Sequence, residues 1–182
     1  PYIVSSSINF NNSARCFYMY GSMCAEEVIG LLKLEPLTIE GGFFSEIYRS
    51  KQLADDKKRC CGTSIYYLMT SRDISAWHKV TSDEIWAYHG GSPAVQFLIF
   101  PDGNMEKRII GNDLKNGHCP QSVIPAGTWQ AAVLLEKDTD SWGLFGAAVF
   151  PGFEYGDFTG ATVEEMAKQF PQLEKEISSF FP

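Results

Sequence analysis

Apolar and polar residues alternate in short segments through most of the chain, and this pattern predicts a mainly β domain. A period of two places successive side chains on opposite faces of a strand. Turn residues separate the segments at intervals of about ten residues, which is typical of a β-sandwich or barrel. The predicted strands cover residues 43–50, 62–70, 75–80, 83–91, 92–100, 105–111 and 142–153, with two more strands within 121–135.

The two ends of this β region have helical patterns instead. Residues 25–34 carry apolar side chains at helical spacing and are predicted to form a short helix. Residues 162–180 form a second helical region, in which Thr162 and Glu165 make a capping box. Pro171 is expected to divide this region into two helices, because proline cannot donate the helical hydrogen bond.

The domain organisation follows from these patterns. Residues 23–182 contain no linker and no repeat, so we expect a single domain there. Residues 1–22 are rich in Ser, Asn and aromatic residues and have no clear period. They are either an extension ahead of a natural start at Met23 or an N-terminal arm that packs on a partner subunit.

Composition and charge narrow the possible partners. The chain has 182 residues, of which 45% are hydrophobic, and its net charge is −7. Nucleic acids and anionic membrane surfaces are therefore not expected partners, because both require a basic face. The five cysteines are odd in number and lack zinc-site spacing, which favours a reducing compartment. No apolar run is long enough to span a membrane, and we expect a cytoplasmic protein.

The strand pattern predicts a polar interior for part of the barrel. On a strand, residues i and i+2 share a face. The side chains that would share the inward face are Phe44, Glu46, Tyr48, His78, Glu84, Trp86 and Tyr88. This set is more polar than a pure core and favours a ligand pocket. The alternative is that His78 is a core histidine that hydrogen-bonds to Glu84.

Residues 78–91, "HKVTSDEIWAYHGG", resemble the first sequence motif of the cupin superfamily. That motif has the form H-x-H, then three or four residues, Glu, six residues and Gly. His78, Glu84 and Gly91 match it in spacing, but Val80 stands where the second His is expected.

The second cupin motif is also matched in part. It contains P-x-G-x2-H with an Asn four residues after the His. Pro125 and Gly127 match, whereas Gln130 occupies the His position and Leu134 the Asn position. Matches of spacing at two separated places are more specific than either match alone.

Longer segments resemble one branch of the superfamily, a group known as a domain of unknown function. They are "LEPLTIEGGFFSEIYRS", "TSIYYLMT", "SAWHKVTSDEIWAYHGGSP", "IPAGTWQAA" and "FPGFEYGDF", within about residues 24–175. The resemblance implies a double-stranded β-helix, the cupin jelly-roll barrel, and usually a homodimer. The helical patterns add short N- and C-terminal helices to this barrel. The branch is similar to nucleotide-sugar epimerases and to germin-like cupins. The resemblance therefore predicts the fold more specifically than the function.

The same comparison of motifs argues against a bound metal. A catalytic transition-metal site usually has three good protein ligands. Val80 offers no ligand atom, and Gln130 offers only a neutral carbonyl oxygen. His89 lies at the wrong strand parity and His118 lies in a loop. We therefore expect no metal and no other cofactor.

Three functions remain open. The first is an isomerase or epimerase that needs no metal. His78 would be its general base, Glu84 would tune the charge of His78, and Tyr48 or Tyr88 would be the acid. This arrangement resembles that of metal-free sugar epimerases. The second is a non-catalytic module that binds a small polar metabolite. The third is a metal-dependent oxygenase or sugar-phosphate isomerase, which the missing second His disfavours.

The expected ligand is a nucleoside diphosphate or a nucleotide-sugar. Aromatic side chains could stack a base or sugar ring, amides could hydrogen-bond to it, and basic residues could meet the phosphates. The residues expected to bind it are Phe44, Glu46, Arg49, Trp77, Lys79, Trp86, Gln96, Gln121 and Gln130. The tryptophans could instead serve core and dimer packing, and the basic residues could be solvated surface.

Overall fold

The computed structural model describes residues 23–54 and 58–180. The helices are α1 (Ala25–Leu32), α2 (Val163–Gln169) and α3 (Glu174–Phe180). The strands are β1 (Glu35–Pro36), β2 (Phe43–Arg49), β3 (Thr63–Thr70), β4 (Ser75–Val80), β5 (Asp83–Gly91), β6 (Ala94–Ile99), β7 (Met105–Ile110), β8 (Gln121–Ile124), β9 (Trp129–Leu134), β10 (Trp142–Phe150) and β11 (Phe158–Gly160). The described chain is thus mainly β with short helices at its ends, as predicted.

The strands form two antiparallel sheets. The first has the order β1-β2-β3-β10-β5-β8, and the second has the order β11-β4-β9-β6-β7. Strands that are neighbours in a sheet are often distant in sequence, as β3 and β10 are, and successive strands such as β4 and β5 lie in different sheets. The two sheets enclose a common core, which confirms the predicted jelly-roll barrel.

The barrel interior is apolar over most of its length. Because side chains alternate along each strand, one face of each sheet supplies the core between the sheets. The largest fully buried interior side chains are Tyr67, Met69, Trp86, Leu98, Ile110, Ile124 and Phe145. Close packing of these side chains fixes the positions of the strands that carry the site residues.

The helices cover part of the outer face of each sheet. Helix α1 places Val28 against Leu68 and Leu144, which alternate with the interior residues of β3 and β10. Helices α2 and α3 place Met166 and Ile177 against the second sheet. These contacts remove apolar surface from water, at about 25 cal/mol per Å² buried.

Most element boundaries agree with the sequence patterns. Strands β4 and β5 begin and end where they were predicted. Thr162 caps α2, since Glu165 N donates to Thr162 Oγ1 at 3.2 Å and Thr162 N donates to Glu165 Oε2 at 2.8 Å. Pro171 separates α2 from α3.

Two strands were missed, and both are too short to show a period. Strand β1 has two residues and pairs with the start of β2. Strand β11 has three residues and pairs with β4, where Gly160 lies opposite His78. Only tertiary pairing defines such segments.

Two other expectations concern the ends of the chain and the membrane. The predicted extension or arm, residues 1–22, lies outside the described residues. Among the helices that the structure describes, none has the length and apolar character needed to cross a membrane.

Candidate functional site

A cavity of about 150 Å³ lies at one end of the barrel interior. Strands β2 to β5 and β10 form its walls, and residues 153–158 form part of its rim. Its polar side chains are Glu40, Glu46, Arg49, Thr63, His78, Glu84 and Glu154, and its aromatic side chains are Phe44, Tyr67, Trp86, Phe153, Tyr155 and Phe158. Polar groups converging in a mostly apolar cavity are typical of a small-molecule site.

A buried pair of titratable groups lies in this cavity. His78 Nε2 lies 3.2 Å from Glu40 Oε2, and the two side chains are only 3% and 12% exposed. His78 Nδ1 lies 2.7 Å from the carbonyl oxygen of Ala76, so Nδ1 carries the hydrogen and donates it. In the neutral ring, Nε2 is then the acceptor and faces Glu40.

Burial sets the protonation of this pair. Desolvation raises the pKa of Glu40 from 4.5 to about 8, so this carboxyl group is neutral at pH 7. Burial also lowers the pKa of His78, although the nearby Glu84 opposes this change. The contact between Glu40 and His78 Nε2 therefore holds one proton at neutral pH, which Glu40 donates towards Nε2.

Glu84 is the second buried carboxyl group of the site. Its Oε1 accepts from Trp86 Nε1 at 2.9 Å, and its Oε2 accepts from Gln130 Nε2. Desolvation raises the pKa of Glu84, while His78 and these two donors act in the opposite direction. Both oxygens are therefore occupied, and Gln130 orients Glu84 rather than lining the cavity.

Glycines hold Glu40 in position. Gly41 and Gly42 have φ angles of 108° and 73°, which side chains rarely adopt. A Cβ at Gly41 would collide with the carbonyl oxygen of Ile74. The loop can therefore run against β4, where Ala76 N donates to the Glu40 carbonyl oxygen at 2.8 Å. This contact places Glu40 beside His78.

The prediction that Tyr48 faces the pocket is wrong. The pairing of β2 with β3 shifts between Glu46 and Tyr48, because Ile47 forms a bulge. A bulge reverses the alternation of faces. Tyr48 therefore points away from the cavity and is 56% exposed, whereas Arg49 joins Glu46 at the cavity.

Tyr88 has the predicted strand parity but lies beyond the cavity. Its ring packs edge-on against Phe145, with ring centroids 6.0 Å apart. Its hydroxyl donates to the Gly91 carbonyl oxygen at 2.6 Å. The Trp86 ring, which is 2% exposed, precedes it on the same face of β5. Tyr88 is therefore not placed to act as the acid.

Four predicted binding residues also lie elsewhere. Trp77 packs against α2 and α3 on the outer face of the second sheet, and Lys79 Nζ lies 4.7 Å from the centroid of the Trp129 ring. Gln96 accepts from Ser122 Oγ at 2.6 Å in the barrel interior. Gln121 is exposed at the start of β8. None of the four lines the cavity.

Six of the predicted residues do line the cavity, and several others were missed. The six are Phe44, Glu46, Arg49, His78, Glu84 and Trp86. Glu40 was missed because it lies in a turn, although the following Gly41-Gly42 pair signals an unusual backbone there. Phe158 was missed because β11 was not predicted; its ring stacks on His78 with a centroid distance of 5.2 Å.

The fold and this pocket together define a cupin. The chain belongs to the cupin superfamily family DUF985, whose model matches residues 26–161. An uncharacterized protein of Saccharomyces cerevisiae, YML079W, is 32% identical in an alignment 151 residues long, and the match covers 75% of each chain.

Solved structures support the same assignment. Protein SO0799 of Shewanella oneidensis is 32% identical with a TM-score of 0.78, and the match covers 86% of this chain and 96% of that one. A hypothetical protein from Leishmania major is 29% identical with a TM-score of 0.79, and the match covers 86% and 98%. These names specify no activity.

The residues at the cupin metal positions do not fit a metal ion. Val80 provides no ligand atom, and Gln130 uses its amide to donate to Glu84. The two oxygens of Glu84 already accept hydrogen bonds from Trp86 and Gln130. Within residues 23–54 and 58–180, no three His, Cys, Asp or Glu side chains form a group that could hold a metal. The chemistry that we propose for this site therefore uses no metal.

Proposed function

We propose that this cupin binds a small polar metabolite in the cavity and transfers a proton on it without a metal. The observation that carries the proposal is the buried His78–Glu40 pair, in which Nε2 and Oε2 are 3.2 Å apart. A cavity of about 150 Å³ accommodates a single ring or a compound of similar size.

The pair supplies both partners of an isomerisation. His78 Nε2 takes a proton from a carbon beside a carbonyl group, and the electron pair of the broken C–H bond moves towards the carbonyl oxygen. Glu40, which is protonated at neutral pH, gives its proton to that oxygen. In an isomerisation, the hydroxyl group on the neighbouring carbon gives its proton to Glu40, and His78 delivers its proton to the former carbonyl carbon. In an epimerisation, the enol returns its hydroxyl proton to Glu40, and the carbon regains its proton on the opposite face.

The geometry of the free pair is consistent with this role. A separation of 3.2 Å is long for a hydrogen bond between a carboxyl group and an imidazole. No substrate atom fits between two atoms at this distance, so the pair opens as the substrate binds, and each side chain then contacts its own substrate atom. The Nδ1–H bond to Ala76 keeps Nε2 directed into the cavity during the transfer.

The nucleoside diphosphate or nucleotide-sugar expected from the sequence is a competing ligand class, which the charges at the rim disfavour. Its sugar or base ring would occupy the cavity and its phosphates would lie at the rim. Arg49 is the basic residue at that rim, and it is already bonded to Glu46 and Glu154. A diphosphate would have to displace these carboxylates, so smaller uncharged or amine-bearing compounds come first in the screen.

The test is exchange of substrate hydrogens with solvent deuterium. Small ketoses, aldoses, amino sugars and nucleotide-sugars are incubated with the protein in D2O, and exchange at the carbon beside the carbonyl group is followed by NMR. We expect exchange with at least one compound. His78→Gln and Glu40→Gln should each reduce the rate at least about a hundredfold, as for the loss of a general acid or base.

The matched control is His89→Gln, which changes a histidine outside the cavity and should leave the exchange rate unchanged. Binding without exchange would contradict the enzymatic proposal and favour a non-catalytic binding module. Exchange that survives in His78→Gln would exclude His78 as the base. Exchange that disappears with a chelator would favour a metal-dependent isomerase.

A further inference from the structure

We infer that the ligand of this pocket carries a positive charge, as an ammonium group on a ring-sized compound, and that the pocket selects against phosphate. The inference rests on the proposed function only in naming the substrate class of the same site. It is carried by the charges at the rim, the charges inside the cavity and the aromatic walls.

The rim of the cavity has an excess of negative charge. Arg49 Nε and Nη2 donate to the two oxygens of Glu46 at 3.0 and 2.8 Å, and Nη1 donates to Glu154 Oε1 at 2.8 Å. Nη2 also donates to the Phe153 carbonyl oxygen at 3.2 Å. One guanidinium group thus faces two carboxylates, and its donors are in use. An incoming anion meets a net negative charge there.

The interior of the cavity has no cation to offset this charge. His78 is the one basic side chain of the described lining besides Arg49, and burial favours its neutral form. Glu84 carries no positive charge in either protonation state, and its two oxygens already accept N–H donors. A buried phosphate would lose its hydration without gaining a cationic partner, which is strongly unfavourable.

The walls are suited to an organic cation. Six aromatic side chains line the cavity. Aromatic faces attract cations, and aromatic cages are a common means of recognising quaternary ammonium groups. The acidic net charge of −7 also raises the local concentration of cations over that of anions.

The test compares two probes of the same shape. Choline carries a quaternary ammonium group, and 3,3-dimethyl-1-butanol replaces its nitrogen with carbon and has no charge. Each compound, and inorganic phosphate, is titrated into the 15N-labelled protein while the indole N–H signal of Trp86 is followed by NMR. Trp86→Phe assigns that signal. We expect choline to bind at least about tenfold more tightly than the alcohol, and phosphate not to shift the signal.

Two variants make the test sharper. In the double variant Glu46→Gln and Glu154→Gln, Arg49 loses both carboxylates, so the preference for choline should fall at least about threefold and phosphate should begin to bind. The matched control is Glu106→Gln, because Glu106 forms the same two-bond contact with Arg108 at 2.9 and 2.8 Å outside the cavity. The control should retain the wild-type preference.

Each outcome decides the inference. Equal binding of choline and the alcohol, tighter binding of phosphate, or no saturable shift with choline in the wild-type protein would overturn it, whether or not the variants fold. If choline binds selectively but no carbonyl compound exchanges its hydrogens, the proposed enzymatic function fails and the charge preference stands. If hydrogen exchange occurs only with uncharged or phosphorylated compounds, the proposed function stands and the charge preference fails.

Discussion

The buried Glu40 carboxyl group should make folding stability depend on pH in a way that one substitution removes. In the folded protein its pKa is about 8, against 4.5 for the free group. Folding favours the neutral form of Glu40, so the contribution of this group to folding stability is fully present below pH 4.5. It is lost as the pH rises through 8, because the folded protein must then either bury a charge or hold an extra proton. Glu40→Gln keeps the shape and removes this titration.

The magnitude follows from the two pKa values. Between pH 5 and pH 9 the titration of Glu40 is worth roughly 4 kcal/mol, at about 1.4 kcal/mol for each pH unit of displacement. Sharing of the proton with His78 reduces this value. We therefore expect the free energy of unfolding of Glu40→Gln, relative to the wild-type protein, to rise by at least about 2 kcal/mol over that range.

The assay is urea denaturation of both proteins at pH 5, 6, 7, 8 and 9. The lowered pKa of His78 acts in the opposite direction, because its contribution to stability is complete above pH 6.5 and is lost as the pH falls below that value towards the lower pKa of the folded protein. Both proteins contain His78 and Glu84, but Glu40 contributes to the raised pKa of Glu84 and contacts His78. The difference therefore reports the titration of Glu40 together with its effect on these two groups. Glu106→Gln is the control. Arg108 lowers the pKa of Glu106, so the free energy of unfolding of this variant, relative to the wild-type protein, should not rise above pH 6. A difference between Glu40→Gln and wild type that stays within about 0.5 kcal/mol over this range would refute the assignment of Glu40 as a buried neutral acid.

Three further predictions concern the cap, the metal and the assembly. Thr162→Ala removes the oxygen that caps α2 and should cost about 1 kcal/mol, seen as a Tm lower by about 2–4 °C; an unchanged Tm would show that the cap contributes nothing. The purified protein should contain far less than one equivalent of zinc, iron or manganese, because Val80 and Gln130 replace two imidazoles; elemental analysis that finds a full equivalent, lost in His78→Ala, would contradict this. The protein should sediment as a homodimer at micromolar concentration, since jelly-roll edge strands are usually covered, and a monomer alone would refute the expectation.

The amino-acid sequence by itself determined most of the secondary structure and the fold class. Alternation of apolar and polar residues defines β4 and β5 to the residue, because each strand has one face in the core. The capping box at Thr162 and the break at Pro171 are local signals that the structure retains. The spacing of His78, Glu84 and Gly91, together with Pro125 and Gly127, was sufficient to indicate a cupin.

Only the tertiary structure decided which side chains meet in the cavity. The bulge at Ile47 turns Tyr48 away from the cavity and brings Arg49 to it. No local sequence pattern predicts this bulge. Glu40 reaches His78 because the loop docks on β4 through Ala76, a contact between residues far apart in sequence. The burial that keeps Glu40 neutral exists only once the two sheets have closed, since desolvation is a property of the packed barrel and not of the residue.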